Sequence, residues 1–199
     1  MEAYANRIHH RRSIRLKAYD YSQEGAYYVT ICTHARVCVF GAVVGENVRL
    51  SRFGQMARNE WLRTPQIRPE AELDDFVVMP NHVHGIILLA PTVGAYRNTP
   101  LRDDPPQNHR LVSPSRTLGA IIRGFKSTTT LQINKLRNRP GSSLWQRNYY
   151  EHVIRDLDDL NRIREYIQNN PLPWSSDEDN PINIATSNFK SGVGEDESL

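Results

Sequence analysis

The sequence is poor in cysteine and in long apolar runs. It holds only two cysteines in 199 residues, Cys32 and Cys38, without the spacing of a metal-binding motif. Because two such cysteines do not make a disulfide framework, we expect free thiols in a reducing compartment. No apolar run approaches the roughly 20 residues of a membrane span, and no secretory hydrophobic segment is recognisable. We therefore expect a cytoplasmic protein without a membrane partner.

The chain also lacks a strong net charge and a nucleotide-binding loop. The formal net charge is only +3, but basic residues cluster in an N-terminal arm and in the region 116–147. Basic clusters of this kind suit a nucleic-acid backbone, and a solvated charged face is the alternative. No G-x-x-x-x-G-K-[ST] loop is present, so no nucleotide cofactor is expected. The basic residues predicted to contact nucleic acid are Arg11, Arg12, Arg15, Lys17, Arg123, Lys126 and Arg147.

Apolar periodicity along the chain predicts a mixed fold. Alternating or continuous apolar runs predict strands, and apolar spacings of three and four predict helices. The predicted strands are 26–33, 37–44, 47–50, a pair within 76–89 and a stretch that begins at Trp145. The predicted helices are 51–64, 115–137 capped by Ser115, and 156–169 capped by Asp156. This order predicts an α+β fold, with an antiparallel sheet covered by helices on at least one face.

The length of the chain sets its domain organisation. With 199 residues, of which 39% are hydrophobic, the chain can bury one core. We expect a basic arm over 1–25, one domain over 26–173 and an acidic, disordered tail over 174–199. Within the domain, the polar, proline-rich stretch 91–114 predicts a mobile loop.

His82 and His84 are the most informative pair of residues. They lie two residues apart inside the apolar, β-branched stretch 76–89. Because side chains at i and i+2 leave the same face of a strand, both imidazoles are expected to point together while Val83 enters the core. Two neighbouring imidazoles can hold a divalent cation. The alternative is a pair of histidines on the solvated face of a half-exposed sheet.

A second polar group lies at the end of the last predicted helix. Leu160, Ile163 and Ile167 form the apolar stripe of this helix. Tyr166 lies at the edge of that stripe, and Asn170 follows four residues later on the same side. If Tyr166 and Asn170 face the two imidazoles, the tyrosine supplies a nucleophile and the asparagine completes a three-ligand metal site. The alternatives are a tyrosine at the edge of the core and an asparagine in the left-handed conformation of a helix end.

Aromatic and basic residues are interleaved in the sequence WQRNYY at 145–150. Unpaired bases stack on exposed aromatic rings, which makes Trp145 and Arg147 predicted contacts for single-stranded nucleic acid. The alternative is an ordinary strand in which Trp145, Arg147 and Tyr149 share one face.

Three motifs together resemble a known family. MPNHVHG at 79–85, LWQRNYYEHVIR at 144–155 and YIQNNP at 166–171 resemble, in their order, the single-tyrosine HUH transposases. They are most similar to the bacterial REP-associated tyrosine transposases, over roughly residues 10–175. The resemblance implies a ferredoxin-like or RNA-recognition-like HUH nuclease fold, with the histidines on a central strand.

The resemblance also implies a role for each motif residue. His82 and His84 match the histidine pair, Asn170 matches the third ligand of Mg²⁺ or Mn²⁺, and Tyr166 matches the nucleophile that attacks a DNA phosphate. The implied activity is cleavage and transfer of single-stranded DNA through a 5′-phosphotyrosine, as in transposition or hairpin processing. The expected partner is single-stranded or hairpin DNA, and the chain is expected to be a monomer or homodimer.

The residues alone leave two other functions open. A non-catalytic single-stranded DNA or RNA-binding protein could use the same sheet, with its rings stacking on bases. A metal-dependent phosphodiesterase could use water in place of Tyr166. The presence of the tyrosine, the asparagine and both histidines favours the strand transferase.

Overall fold

The structure, a computed structural model, describes residues 24–90, 116–177 and 180–183. Short 3-10 turns occupy His34–Arg36 and Trp174–Ser176. The strands are β1 (Gly25–Cys32), β2 (Gly41–Val44), β3 (Asn47–Leu50), β4 (Ala71–Val78), β5 (His82–Leu89) and β6 (Tyr150–Ile154). The helices are α1 (Arg52–Leu62), α2 (Thr64–Ile67), α3 (Leu118–Arg137) and α4 (Leu157–Asn169).

Four strands form an antiparallel sheet in the order β4-β5-β1-β6. With α1 and α3, they follow the βαββαβ order of a ferredoxin-like fold. Strands β2 and β3 form a separate hairpin between β1 and α1. The predicted α+β fold is therefore confirmed, and the histidine strand β5 lies inside the sheet.

The two faces of the sheet are covered by different helices, because successive strand residues point to opposite sides. Val29 and Val83 belong to the larger core, which includes apolar residues of α1 and α3. Ile86 belongs to a smaller core on the other face, where Ile163 and Ile167 of α4 pack. His82 and His84 share the parity of Ile86, so both imidazoles lie on the α4 face while Val83 enters the opposite core.

Side-chain caps define where the helices begin. The Asp156 carboxylate accepts a hydrogen bond from the Asp159 backbone N–H at 2.8 Å, and α4 ends before Pro171, as predicted. Helix α3 begins at Leu118 instead of 115, because the Thr117 hydroxyl accepts from Ala120 N at 3.2 Å. The predicted cap Ser115 lies outside the described residues.

Two predicted strands are shorter in the structure. The 37–44 pattern yields only β2, because backbone groups before Gly41 bond to side chains: the Val37 and Val39 carbonyls accept from the hydroxyls of Thr33 and Ser51. The stretch after Trp145 makes only an isolated bridge to Thr33, and β6 begins later. In this stretch, the Lys126 ammonium donates to the backbone carbonyls of Gln146 and Asn148.

Several predicted segments fall partly outside the described residues. The arm residues Arg11, Arg12, Arg15 and Lys17 and the 91–114 loop lie outside them. Within the predicted disordered tail, residues 174–177 and 180–183 carry hydrogen-bonded structure, because Asn180 Nδ2 donates to the Trp174 carbonyl at 2.9 Å. Across the part of the chain that is described, no helix has the length and hydropathy to cross a membrane.

Candidate active site

His82 and His84 lie side by side on β5, under α4. Their ring centroids are 4.4 Å apart, with an angle of 64° between the ring planes. The two residues are 0% and 4% exposed, so the alternative of a solvated sheet face is wrong. The Tyr166 ring lies 5.4 Å from that of His84, and the Trp174 ring lies 6.0 Å from that of His82. Helix α4 and the segment that follows it therefore close this side of the pair.

The neighbouring residue Asn81 fixes the tautomer of His82. Asn81 Nδ2 donates to the Arg36 carbonyl at 3.0 Å, so its Oδ1 must be the atom 2.8 Å from His82 Nδ1. An amide oxygen only accepts, which means that His82 carries its hydrogen on Nδ1. The lone pair on Nε2 is then available to a metal ion.

Two hydroxyl groups of β1 orient His84. Its Nδ1 lies 2.7 Å from the Tyr28 hydroxyl and 2.9 Å from the Thr30 hydroxyl. With the hydrogen on Nδ1, both oxygens accept it and Nε2 keeps its lone pair. Each histidine therefore has a hydrogen-bond partner that can direct Nε2 toward a metal.

Tyr166 leaves α4 at the edge of its buried stripe. The stripe residues Ile163 and Ile167 pack on the sheet, which brings the tyrosine ring against the histidine strand. Its ring is perpendicular to that of Tyr28, with centroids 6.3 Å apart. Half of the residue is exposed. The phenol is thus in contact with the site and also within reach of a ligand from solvent.

Asn170 ends α4 with its side chain turned inward. Its backbone is right-handed, with φ −57° and ψ −33°, so the left-handed alternative is wrong. The residue is 2% exposed, and its buried Oδ1 accepts no well-formed hydrogen bond from the described residues. The Asn170 side chain also interacts with His82, where it acts to raise the imidazole pKa. A carbonyl-type oxygen such as Oδ1 is a ligand type that suits Mg²⁺ and Mn²⁺.

Burial keeps both imidazoles neutral. It lowers the pKa of His82 to about 4, and the nearby positive charge of Arg36 acts in the same direction. Burial also holds the pKa of His84 well below its usual range, with His82 adding to the effect. Neutral imidazole is the form that binds metals, and so both residues are ready to act as ligands at pH 7.

The donor set fits a divalent ion. Two imidazole nitrogens and one amide oxygen are neutral, so they leave the double charge of Mg²⁺ or Mn²⁺ intact. The described residues contain no cluster of three histidine, cysteine or acidic side chains, so a metal ion on the two histidines would take its third protein ligand from another residue type, such as the Asn170 amide. The observation that supports this fit is the buried Oδ1 of Asn170, which has no well-formed hydrogen bond within the described residues.

An open groove of about 840 Å³ leads to Tyr166 and His84. It is lined mainly by aromatic, amide and basic side chains from β1, β6, α4 and the segment before β6. Arg162, one turn before Tyr166, is tied to Asp159, which also binds the His152 imidazole at 2.7 Å. Residues that line the groove include Arg36, Gln146, Asn148, Tyr149, Tyr150, His152 and Arg162.

The residues predicted to contact nucleic acid differ in their exposure and bonding in the structure. Trp145 is buried between Phe40 and Phe125, and its indole N–H donates to Thr129 at 2.8 Å, which corrects its predicted role as a stacking platform. The amine of Lys126 donates to two backbone carbonyls, so it holds the groove wall and is not a free phosphate contact. Arg123 and Arg147 are exposed, and nothing in the structure tests their role.

Sequence reasoning missed several groove residues. Tyr28 and Thr30 alternate on β1, so their spacing was an available signal of a shared face, but the partner strand could not be deduced from it. Arg162 could have been found from its four-residue spacing to Tyr166. Trp174 gave no signal, because it lies in a polar stretch of the predicted tail.

Comparisons with known proteins give a sequence relative and a fold. No protein-family model matches the chain. An uncharacterized protein of Haemophilus influenzae is 43% identical over 171 residues, covering 86% of this chain and 93% of the relative. The solved structure of a REP-associated tyrosine transposase bound to a REP hairpin has a TM-score of 0.52 at 20% identity, covering 79% of this chain and 73% of that one.

A second solved structure, of a transposase candidate from Deinococcus radiodurans R1, has a TM-score of 0.44 at 14% identity. It covers 78% of this chain and 95% of its own. The chain thus belongs to one family with the Haemophilus influenzae protein, and its fold is that of the solved REP-associated tyrosine transposase.

Proposed function

We propose that the protein cleaves single-stranded DNA and transfers the cut strand through a covalent bond to Tyr166. His82, His84 and Asn170 would hold Mg²⁺ or Mn²⁺ beside the nucleophile. The observation that carries the proposal is the meeting of four groups: a half-exposed phenol, two buried neutral imidazoles and a buried amide oxygen that interacts with one of those imidazoles. A REP hairpin bound to a protein of the same fold supports DNA as the substrate.

A bound divalent ion would polarise the scissile phosphate and neutralise charge that develops on its oxygens. The residues of the chain position the nucleophile, admit the DNA strand and orient the imidazoles. The packing of α4 holds the Tyr166 ring against His84, and the groove brings a strand to it from the solvent. Tyr28 and Asn81 keep the imidazoles oriented.

The proposed first step forms one bond and breaks one. The Tyr166 oxygen attacks phosphorus and forms a phosphotyrosine with the 5′ end of the downstream strand. The bond from phosphorus to the 3′ oxygen breaks, and that oxygen leaves as a hydroxyl after taking the proton lost by the phenol.

In the second step, the 3′-hydroxyl of another strand attacks the same phosphorus. The bond from tyrosine to phosphorus breaks, and the tyrosine oxygen regains a proton. Because each step exchanges one phosphoester for another, no nucleotide cofactor is required.

The test is a search for the covalent adduct. Hairpin oligonucleotides that carry single-stranded flanks are incubated with the protein and Mn²⁺, then separated on denaturing gels, and mass spectrometry locates the modified residue. Wild type is expected to give an adduct on Tyr166. Tyr166→Phe should bind the oligonucleotide and give none, since it keeps the ring and removes only the oxygen.

Tyr150→Phe is the matched control. This tyrosine lines the same groove and is also close to half exposed, so the substitution removes a comparable hydroxyl. It should leave the adduct in place. An adduct on Tyr149 or Tyr150 would refute the assignment of the nucleophile. Cleavage by Tyr166→Phe would identify water as the nucleophile, and binding without cleavage by wild type would leave the non-catalytic binder.

A further inference from the structure

Helix α4 is tied to β4 by two pairs of side chains. Arg164 donates to both oxygens of Asp74, from Nε at 2.9 Å and from Nη2 at 2.5 Å. One turn later, Gln168 Nε2 donates to Asp75 Oδ2 at 2.7 Å. The Asp74 side chain is only 11% exposed, and Arg164 lowers the pKa of its carboxyl. A two-pronged contact of this kind fixes direction as well as distance.

A bulge in β4 allows two consecutive aspartates to face α4. The pairing of β4 with β5 shifts register between Leu73 and Phe76, where Asp74 and Asp75 lie. In a regular strand, two consecutive side chains would leave opposite faces. A bulge relaxes this alternation, and so both carboxylates reach α4. Their partners on the helix are four residues apart and therefore lie on one flank.

Tyr166 projects from the opposite flank of α4. At about 100° per residue, it lies about 200° from both Arg164 and Gln168. The apolar stripe selects the side of α4 that faces the sheet, but apolar contacts alone permit small rotations. A phenol oxygen lies about 9 Å from the helix axis, so a rotation of about 10° moves it by about 1.5 Å. A displacement of about 1 Å can slow a positioned reaction by about 100-fold.

We propose that Arg164 and Gln168, bound to Asp74 and Asp75, form a clamp that sets the rotation of α4 and thereby positions Tyr166. In the structure, the clamp joins α4 to the sheet of its own chain and holds Tyr166 beside the histidines of that chain. These four are positioning residues. Their role in catalysis rests on the function proposed above.

The experiment measures adduct formation in a single turnover with hairpin oligonucleotide and Mn²⁺. Arg164→Ala is expected to slow it by about 100-fold. Arg164→Lys should be intermediate, because it keeps the charge and loses the second prong. The double variant Arg164→Ala with Asp74→Ala should be no slower than the slower single variant.

The oligonucleotide Kd and the melting temperature distinguish positioning from a merely structural role. Both should stay near wild type, because a partly exposed ion pair contributes little to stability. Arg63→Ala is the matched control. It removes another half-exposed arginine bound to a carboxylate, Glu60 on α1, and should leave the adduct rate unchanged. An unchanged rate in Arg164→Ala, or equal losses of binding and stability, would overturn the proposal.

Two further measurements cover the remaining outcomes. A mixture of Tyr166→Phe and His84→Ala chains should form no adduct, and recovery of the adduct would overturn the same-chain arrangement. If wild type forms no adduct at all, the proposed function fails and hydrogen exchange decides the clamp. Faster exchange confined to α4 amides in Arg164→Ala supports the clamp, and unchanged exchange overturns it.

Discussion

The burial of the histidine pair predicts an unusual pH dependence of metal binding. A metal ligand must be a neutral imidazole, so protonation competes with the metal. Exposed histidines have a pKa of about 6.5 and would be protonated in mild acid. Burial lowers the pKa of His82 to about 4 and that of His84 well below its usual value. We therefore expect Mn²⁺ affinity to be nearly constant from pH 7.5 to pH 5.

The size of the effect follows from the neutral fraction of each imidazole. At pH 5, a histidine with a pKa of 6.5 is about 3% neutral, so two such ligands would lose about 1,000-fold in affinity. With its pKa at about 4, His82 is still about 90% neutral at pH 5. The expected loss is therefore less than about twofold.

The assay titrates Mn²⁺ into the metal-free protein at pH 7.5, 6 and 5 and follows the electron paramagnetic resonance signal of the free ion. Circular dichroism at each pH checks that the protein remains folded. Asn170→Ala is the control, since it removes the proposed ligand that does not titrate and should lower the affinity by the same factor at each pH. The reasoning is refuted if the Mn²⁺ affinity begins to fall near pH 6.5 with the slope expected when two imidazoles are protonated.

The same burial and packing lead to further expectations. His82 and His84 have lower pKa values in the folded than in the unfolded chain, so stability is lost as the pH falls below about 6.5. In denaturant titrations with chelator, His82 alone should account for a loss of about 2 kcal/mol between pH 7.5 and pH 5, His84 should add to it, and the total should be smaller in His82→Gln. Asn170→Ala should weaken Mn²⁺ binding at pH 7.5 while leaving the melting temperature near wild type, measured by calorimetry. Gly85→Ala should lower the stability measured by thermal unfolding by about 1–3 kcal/mol, because its Cβ would lie 2.4 Å from a ring atom of the buried Trp61. Gly124→Ala should stabilise the protein, because a Cβ there meets nothing within 4 Å. Equal shifts for the two variants would contradict the packing argument.

Local patterns predicted the parts of the site that depend on a single element. Strand alternation was enough to put His82 and His84 on one face, and helical spacing was enough to put Tyr166 and Asn170 on one side of α4. The cap at Asp156 and the end of α4 before Pro171 could also be predicted, because both depend on interactions within a few residues.

Contacts between distant segments were not predictable in the same way. The histidines are buried because α4 and Trp174 cover them, and no local pattern encodes which segment covers a sheet face. Trp145 looked like a surface ring because it alternates with polar residues, yet its partners Phe40 and Phe125 are far away in sequence. The same holds for Lys126, whose two carbonyl partners lie about 20 residues ahead.

The position of β1 inside the sheet affects how the protein folds during synthesis. Residue 28 of β1 pairs with residue 86 of β5 and with residue 152 of β6. At a synthesis rate of about 5–20 residues per second, β6 is made roughly 3–13 s after β5. During that time, the edge of β1 that pairs with β6 has no partner strand. That edge carries an apolar sequence, Ala-Tyr-Tyr-Val-Thr-Ile, whose open backbone groups can pair with other chains. Slowing translation between codons 90 and 150 should therefore lower the soluble yield, and supplying chaperones should restore it.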